Sequence, residues 1–193
     1  MQIINSFLYL TSYKFDNEEL RKAFKEIENK IITMSLVHQK LYQSKSLSKL
    51  SIKDFIDELI NIILLSYNNK DCKIIKNIDI DDFNILFDIA IPLGLVLNEI
   101  LSNTLKYAFI GKKEGIITLT LKRNKDSYVE LVISDNGHGL KKDFDIKKVE
   151  SLGFLTIIEI AKHQLSGDIE FISDHGLKVY IKFKDNIYKE RVK

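Results

Sequence analysis

Four polar side chains stand at helical spacing in the middle of the chain. They are Glu99, Asn103, Lys106 and Tyr107. Steps of three and four residues place side chains on one face of a helix. An asparagine carbonyl can complete the coordination of Mg²⁺ while the ion keeps phosphate and water ligands, and a carboxylate one turn away can accept a proton from an attacking nucleophile. The spacing therefore indicates phosphoryl chemistry, although the solvated face of an amphipathic helix has the same spacing.

The other face of the same predicted helix is apolar. Its members are Leu93, Leu97, Ile100 and Thr104. Pro92, the only proline in the chain, is expected early in this helix, where a missing N–H costs little. The helix is therefore predicted to turn one face to a core and the other to a ligand or to water.

A glycine-rich motif, DNGHG at residues 135–139, follows a strand pattern that ends at Ser134. Asp135 at a strand end can accept a hydrogen bond from an exocyclic amino group, and Gly137 and Gly139 let the backbone approach a purine closely. The same letters favour a hairpin turn. However, the next segment, LKKDFDIKKVE at residues 140–150, lacks the alternation of a strand. The motif is predicted to be either a nucleotide-binding loop or a hairpin turn.

A third short motif, Ser151-Leu152-Gly153, stands at the start of an apolar helical segment. Backbone N–H groups at a helix start favour a phosphate group. An ordinary helix cap, with Gly153 present for close packing, explains the same residues. The motif by itself does not separate the two interpretations.

The segments around these motifs begin with helices. Apolar residues from position 20 to position 41 recur at alternating steps of four and three, which predicts a helix seam that packs against other helices. Residues 3–10 carry a fragment of the same rhythm, so two antiparallel helices are predicted. Because so short a first helix buries little surface, we expect a second copy of the chain to complete the bundle. Ser51 has the spacing of the cap of a third helix.

Strand patterns follow in the second part of the chain. The candidate strands are residues 72–78, 83–87, 116–121, 128–134, 168–173 and 178–183. The third and fourth of these predict a hairpin, and the last two are joined by a turn at Gly176. A helix is predicted over residues 152–165. Helices and strands do not alternate regularly, so an α+β sandwich with a mixed sheet is favoured over a doubly wound parallel sheet.

Composition restricts the class of protein. The 193 residues are 45% hydrophobic and 29% charged, which is typical of an ordinary globular protein. A net charge of +2 lacks the basic excess of nucleic-acid binders. The single cysteine, Cys72, cannot form an internal disulfide, and no apolar run approaches the roughly 18 residues of a membrane helix. We expect a cytoplasmic protein without a membrane segment in this chain.

In this order, the three motifs resemble the N, G1 and G2 boxes of the ATPase fold shared by gyrase, the heat-shock chaperone, histidine kinases and the mismatch-repair ATPase. Residues 91–109, IPLGLVLNEILSNTLKYAF, look like the N box of the HWE-related sensor histidine kinases. Residues 34–44, MSLVHQKLYQS, resemble the second helix of the dimerisation domain in that subclass. The resemblance implies a truncated dimerisation and histidine-phosphotransfer hairpin at residues 1–48. A GHKL-type ATP-binding catalytic domain is implied at residues 49–193.

The resemblance also implies ATP and Mg²⁺ as cofactors. It makes Glu99 the catalytic, polarising carboxylate, Asn103 the Mg²⁺ ligand, and Asp135 the partner of the adenine amino group. Further nucleotide-binding residues are implied at Asn98, Lys106, Tyr107, Gly137, Gly139, Leu152 and Gly153. The implied partners are a second copy of the chain, joined through the N-terminal helices, and a response regulator.

The sequence departs from this family in several places. The family's phosphoacceptor histidine precedes a Leu/Met-Gln-Ile-Ile run, whereas this chain begins Met1-Gln-Ile-Ile4. We therefore expect the acceptor to be missing, because the chain is a truncated or designed fragment or has a misassigned start. His38 on the apolar seam is expected to be a packed helix histidine rather than a substitute acceptor, and the other histidines singled out, His138 and His163, are expected to be incidental.

Two smaller departures lie near the predicted nucleotide pocket. Phe154 stands where the family favours leucine, and Leu177 stands where it often has threonine. The second departure is expected to lower the affinity for phosphate. Three functions are therefore weighed: an ATP-dependent protein-histidine kinase module, a non-enzymatic dimeric adapter that binds a response regulator or another kinase, and a serine kinase of the anti-sigma type. The two-helix segment argues against the third.

Overall fold

The computed structural model describes residue 6, residues 10–11 and the ranges 17–43, 49–67, 72–140 and 152–185. Most of the predicted first helix therefore lies outside the described residues. The same holds for residues 141–151, which include Ser151 and most of the predicted charged loop.

Helix α1, Glu18–Gln43, confirms the prediction of a long helix over residues 20–41. Its buried face holds Asn29, Thr33, Leu36 and Val37, and it packs against the helices that follow in the chain. Two members of the predicted seam, Leu20 and Ile27, are 41% and 45% exposed. The predicted seam is therefore not the face that packs within this chain, because the interior contacts are made through the neighbouring stripe.

Helix α2, Ile52–Ser66, begins at the predicted cap: the Ser51 hydroxyl accepts the Asp54 N–H at 3.2 Å. A capping bond of this kind satisfies one of the backbone donors that a helix start leaves unpaired. Strand β1, Lys49–Ser51, pairs antiparallel with strand β3, Asn84–Leu86. Strand β3 lies within the predicted strand at residues 83–87, whereas β1 and its pairing were not predicted, since a three-residue strand leaves almost no alternation to detect.

Helix α3, Phe87–Asn103, is the central helix, and a π-helical turn, Thr104–Ala108, continues it. The expectation that Pro92 lies near the helix start is wrong, because the helix already begins at Phe87. Phe87, Ile89 and Ala90 are buried, so packing of the first turns offsets the single backbone hydrogen bond that an internal proline removes.

A five-stranded sheet forms the second layer. Its strands are β2 (Lys73–Ile80), β4 (Glu114–Arg123), β5 (Tyr128–Asp135), β6 (Asp168–Ser173) and β7 (Leu177–Lys184). The spatial order is β2-β4-β5-β7-β6, with β2 and β4 parallel and all other pairs antiparallel. The mixed sheet and the α+β class are thus as predicted.

Helix α4, Leu152–Glu159, continues into a second π-helical turn, Ile160–Gln164. Inward-facing strand residues such as Leu119, Leu131 and Ile181 are fully buried and form one core with the buried residues of the helices. Within the described ranges, none of the helices has the length and apolar character needed to cross a membrane.

Candidate functional site

The polar residues of α3 do not lie on a solvated face. Asn98 and Glu99 are only 3% and 6% exposed, and Asn103 is half-buried. The amphipathic interpretation would expose Glu99 and Asn103, so it is wrong for this part of the helix. It does describe Tyr107, which is 61% exposed on the π-helical turn. Burying a carboxylate and two amides is costly unless each finds partners, and their surroundings therefore decide what they do.

Glu99 is paired with a residue of the N-terminal helix. Its Oε1 lies 2.9 Å from Nζ of Lys30 on α1. A second pair of the same kind joins Lys106 Nζ to Glu26 Oε1 at 2.5 Å. Glu26 and Lys30 are one helical turn apart, so a single stripe of α1 supplies both counter-charges.

The second pair alters the acidity of its lysine. Burial lowers the pKa of Lys106, but the hydrogen bond to Glu26 and the neighbouring Tyr67 outweigh burial and leave the pKa above its ordinary value. The ammonium also lies 5.7 Å from the centroid of the Tyr67 ring. Lys106 therefore stays charged and is held toward α1.

The start of α4 closes over Glu99 and Asn103. A Cβ built on Gly153 would lie 3.0 Å from Glu99 Oε2 and 3.9 Å from Asn103 Oδ1. The two oxygens thus border the same small space beneath the first turn of α4. The Asn103 amide nitrogen is nearer to that Cβ, at 3.4 Å. An amide oxygen is a ligand type that Mg²⁺ accepts, so the donor type of Asn103 is compatible with the predicted metal. We call Glu99, Asn103 and Lys106 the Glu99 end of the site.

Asp135 lies at the end of β5 and accepts three hydrogen bonds. Its Oδ1 accepts the N–H of Gly137 at 2.8 Å and the N–H of Leu177 at 3.3 Å. Its Oδ2 accepts the hydroxyl of Thr104 at 3.3 Å. The carboxylate is therefore held by the loop that follows it, by β7 and by the π-helical turn. We call Thr104, Asp135, Gly137 and Leu177 the Asp135 end of the site.

The DNGHG motif is not a hairpin turn. The N–H of His138 donates to the carbonyl of Ala108 at 3.0 Å, and the N–H of Leu140 donates to the Ser173 hydroxyl at 2.8 Å. Over the described residues that follow β5, the chain does not enter another hairpin strand but lies between the π-helical turn and the end of β6. The hairpin interpretation is wrong because both edges of β5 are already paired, with β4 and β7.

The two glycines of the motif have separate structural reasons. A Cβ on Gly137 would lie 2.5 Å from the carbonyl oxygen of Ala108, so only glycine allows the loop to approach this closely. Gly139 has φ +67°, a conformation that other residues seldom adopt. The motif thus forms a tight loop against the π-helical turn.

A cavity lies between the two ends. Its lining includes Asn103, Thr104, Tyr107, Asp135, Gly139 and Phe154. Leu152 aside, since its side chain lies outside the described part, the predicted residues that are not on this lining are Asn98, Glu99, Lys106, Gly137 and Gly153. Asn98 Oδ1 is buried and has no hydrogen-bond partner among the described residues, whereas Lys106 borders a different cavity, beside Cys72 and Phe109. The structure therefore brings three separate segments together around one concave space.

Comparison with known proteins assigns this arrangement to a family. Residues 88–187 match the family described as Histidine kinase-, DNA gyrase B-, and HSP90-like ATPase, and residues 1–67 match a family described as Histidine kinase. The first match covers more than half of the chain. The chain belongs to this ATPase family. Its ATPase domain contains both ends of the site, while Lys30 and Glu26 lie within the second match.

Relatives and solved structures agree with this assignment. The chain is 26% identical over 171 residues to the sensor histidine kinase PdtaS of Mycolicibacterium smegmatis, covering 88% of this chain and 34% of that protein. It therefore spans about a third of the length of that relative.

Two solved structures share the fold. The histidine kinase domain of the Erythrobacter litoralis EL346 blue-light activated kinase has a TM-score of 0.77 at 15% identity, with 98% of this chain and 95% of that one covered. Full-length ShkA in complex with AMPPNP has a TM-score of 0.58 at 14% identity, with 86% and 37% covered.

Sequence reasoning missed one polar residue of the ATPase domain site. Helical spacing puts Thr104 on the apolar face of α3, but its hydroxyl donates to Asp135. A threonine among leucines and isoleucines on a predicted apolar face was the available signal. The ion pairs from α1 could not be foreseen, since charged residues there are equally consistent with a solvated surface.

Two predicted details concern residues that the structure describes only in part. The backbone of Leu152 starts α4, but its side chain lies outside the described part, as does the side chain of His38.

His163 is exposed and lies 3.7 Å from Glu159, one turn away on the same helix. Within the described ranges, no group of three or more His, Cys, Asp or Glu side chains is placed to hold a metal ion.

Proposed function

We propose that this chain is the ATP-binding catalytic portion of a two-component sensor histidine kinase. In this proposal it transfers the γ-phosphoryl group of ATP to a histidine side chain outside this sequence. The observation that carries the proposal is the convergence of Asn103, Asp135 and Phe154 from three segments around one cavity. Family membership supports it, and the structure of ShkA with AMPPNP supports it by analogy.

Asp135 is the proposed partner of the adenine amino group. Its carboxylate is anchored by backbone N–H donors, yet its side chain borders the cavity. A carboxylate accepts hydrogen bonds and donates none, so it selects a base that presents a donor. Gly137 and Gly139 shape the loop beside it, and Tyr107 lines the opening of the same cavity.

Asn103 and Glu99 are the proposed residues of phosphoryl transfer. Asn103 would hold Mg²⁺ through its amide oxygen, and the ion, when bound, neutralises phosphate charge. Glu99 would polarise the attacking histidine by accepting its proton. Its present partner, Lys30, belongs to the histidine kinase segment at residues 1–67, so this carboxylate must exchange partners before it can act.

The first turn of α4 is the proposed phosphate-side wall. Leu152 and Gly153 begin this helix, and N–H groups at a helix start favour an anion. Gly153 lies against Glu99 and Asn103, which places this turn next to the proposed metal ligand. Asn98 and Lys106 do not line the cavity. Asn98 is proposed to support α3 from its buried side, and Lys106 is proposed to reach the phosphate groups once it is released from Glu26.

Nucleotide binding tests the proposal. Titration calorimetry with AMPPNP, with and without Mg²⁺, is expected to show Mg²⁺-dependent binding by the wild-type chain. Asn103→Ala should remove the Mg²⁺ dependence, and Asp135→Ala should remove binding. The exposed residues Asn77 and Asp57 provide matched controls, Asn77→Ala and Asp57→Ala. Absence of binding to the wild-type chain, or binding unchanged in both site variants, would reject the kinase proposal.

Transfer to histidine requires a second experiment. A protein segment bearing a phosphoacceptor histidine is mixed with the chain and γ-labelled ATP, and acid-labile label on the segment is measured. Glu99→Gln should bind nucleotide but transfer far less label. Label on serine or threonine, which is stable to acid, would instead support the anti-sigma type of kinase.

A homodimer through the N-terminal helices is part of the proposal, together with a response regulator as partner and a cytoplasmic location. The exposed apolar side chains Leu20 and Ile27 on α1 support the dimer, because such a pair is better covered than solvated. Light scattering of the wild type should give twice the mass of one chain. The Ile27→Glu variant should give the mass of a single chain. A monomeric wild-type chain at all concentrations would remove this part of the proposal.

A non-catalytic adapter is the second candidate. It is favoured by one observation, the ion pairs that occupy Glu99 and Lys106. An adapter would bind a response regulator or kinase whether or not nucleotide is present. Measured AMPPNP affinity together with absent phosphoryl transfer in the mixed assay would select the adapter over the kinase.

A further inference from the structure

Thr104 is a buried hydroxyl at the junction between α3 and the candidate site. It is the first residue of the π-helical turn, is 4% exposed, and lines the cavity beside Asp135. Its hydroxyl donates to Asp135 Oδ2 at 3.3 Å. A buried hydroxyl without a partner is costly, so this contact explains how a polar residue is tolerated among the apolar residues of the helix end.

The hydrogen bonds to Asp135 divide unevenly between its two oxygens. Each carboxylate oxygen has two acceptor positions. Oδ1 uses both, for the N–H groups of Gly137 and Leu177. Oδ2 uses one, for Thr104. Among the bonds made by the described residues, the remaining acceptor position of the carboxylate is therefore on Oδ2, the oxygen that Thr104 also contacts.

We infer that Thr104 is a positioning residue for base recognition. Its hydroxyl holds Asp135 Oδ2 in the orientation that accepts the amino group of an adenine base. This inference rests on the proposed nucleotide-binding function. The terminal torsion of an aspartate side chain is soft, and it moves both carboxylate oxygens together. The two N–H donors restrain this torsion through Oδ1. The Thr104 hydroxyl adds a second restraint through Oδ2, from a different segment of the chain.

The same hydrogen bond bears on the choice of purine. A 6-amino purine presents a donor to Oδ2, whereas a 6-keto purine presents an acceptor that the carboxylate repels. Because the Thr104 hydroxyl already donates to Oδ2, its proton is not available to a keto oxygen. Thr104 therefore acts with Asp135 to favour the amino-bearing base, and it has no direct part in phosphate binding.

A comparison of two nucleotides tests this inference. The probes are ATP and purine riboside 5′-triphosphate, which lacks the 6-amino group, each titrated with Mg²⁺ into wild-type, Thr104→Val and Thr104→Ser chains. Loss of the hydroxyl in Thr104→Val should weaken ATP binding about three- to tenfold, the range of one hydrogen bond. Affinity for purine riboside triphosphate should stay within about twofold, as should both affinities of Thr104→Ser.

Other results would overturn the inference. Equal losses for both nucleotides would show that Thr104 has only a structural role, and unchanged ATP affinity in Thr104→Val would show no role in binding. Thr104→Ala serves if Thr104→Val fails to fold, as judged by thermal unfolding without nucleotide. If the wild-type chain binds neither nucleotide, the proposed function fails. A different pattern would reject only the role of Thr104: ATP binds the wild-type chain, does not bind Asp135→Ala, and binds Thr104→Val and Thr104→Ala as it binds the wild type.

Discussion

The two ends of the candidate site are held in place by different kinds of interaction. At the Asp135 end, the carboxylate is bonded by two backbone N–H groups and one hydroxyl, all from the ATPase domain itself. At the Glu99 end, both charged side chains are paired with residues of α1, outside that domain. The comparison teaches that the Asp135 end is organised by its own domain, whereas the Glu99 end depends on where α1 lies.

The burial of the two ends differs in the same sense. Glu99 has a side-chain exposure of 8% and relies on one lysine, and a nearly buried charge is strongly destabilised when its partner is removed. The Asp135 carboxylate is half-buried and is bonded by three neutral donors of its own domain, at 2.8, 3.3 and 3.3 Å. Substitutions on α1 should therefore affect the first end and leave the second unchanged.

Asp135→Asn is expected to have the largest effect on binding. The amide keeps the size of the carboxylate, but its NH₂ group donates where a carboxylate oxygen accepts. In one orientation this NH₂ group faces the backbone N–H donors, and in the other it faces the adenine amino group, so one hydrogen-bond partner is lost in either case. We expect ATP affinity to fall about 100-fold, or roughly 3 kcal/mol, in calorimetric titration. An unchanged affinity would place base recognition elsewhere and break the distinction between the two ends.

Lys30→Met should have the next largest effect, on stability. It leaves the Glu99 carboxylate nearly buried without its counter-charge, and we expect the free energy of unfolding to fall by roughly 2 kcal/mol in urea denaturation. Glu99→Gln in the same chain should recover at least half of this loss, because the amide carries no charge. Adenosine, which lacks phosphates, should bind the Lys30→Met variant as it binds the wild type. A matching loss of adenosine affinity would show that the two ends are coupled.

Glu26→Gln should have a smaller effect that depends on salt. The Glu26 side chain is 45% exposed, and ion pairs at such sites contribute about 0.2–1 kcal/mol and weaken as salt screens them. The difference in unfolding free energy between wild type and variant should shrink between 50 mM and 1 M NaCl, taken as roughly low and high screening. A difference that does not change with salt would mean that packing, not charge, joins Lys106 to α1.

Asp81→Asn should have the smallest effect and serves as a control for both ends. The N–H of Arg123 and then the side chain of Lys122 hold the pKa of Asp81 below its ordinary value near 3.8. A carboxyl group whose pKa is lowered by folding stabilises the folded state at pH values above its ordinary pKa. This contribution is lost as the pH falls through the pKa of the folded state. Because Asp81 is solvent-screened, the difference should be under about 1 kcal/mol.

The lowered pKa of Asp81 predicts how the stability of the chain depends on pH. The stability difference between wild type and Asp81→Asn should be constant near neutral pH and should shrink below about pH 4. Thermal unfolding across this range measures it. Asp81 lies beside the sheet, away from both ends of the site, so ATP affinity should not change. A difference that grows on acidification would contradict the assigned cause of the shift.

Much of the fold was predictable because its signals are local. The extent of α1, the Ser51 cap, the β4–β5 hairpin and the turn at Gly176 all follow from periodicity, capping and turn chemistry within a few residues. The boundary of α3 did not follow, since Pro92 suggested a later start. Strand β3 was predicted within residues 83–87, but strand β1 and its pairing with β3 were not, because residues 49–51 have no strand pattern until the chain brings the two segments together.

The candidate site was predictable in its residue types but not in its contacts. The spacing of Glu99 and Asn103 and the DNGHG motif each left a structural alternative open, and it is their joint resemblance to a known ATPase fold that indicates a nucleotide site. The roles of these residues stay predictions. The structure adds the cavity that Asn103 and the motif share with Phe154. It also shows that Asn98, Glu99, Lys106 and Gly153 are not on the lining of that cavity.

The sequence by itself determined most of the helices and strands and which polar residues could act on a nucleotide, because spacing and turn propensity are properties of neighbouring residues. Only the tertiary structure decided that Thr104 is a partner of Asp135, that Lys30 and Glu26 neutralise the Glu99 end, and which stripe of α1 is buried. Each of these contacts joins segments far apart in the chain. Such pairings depend on the packing of whole elements, and no local pattern records them.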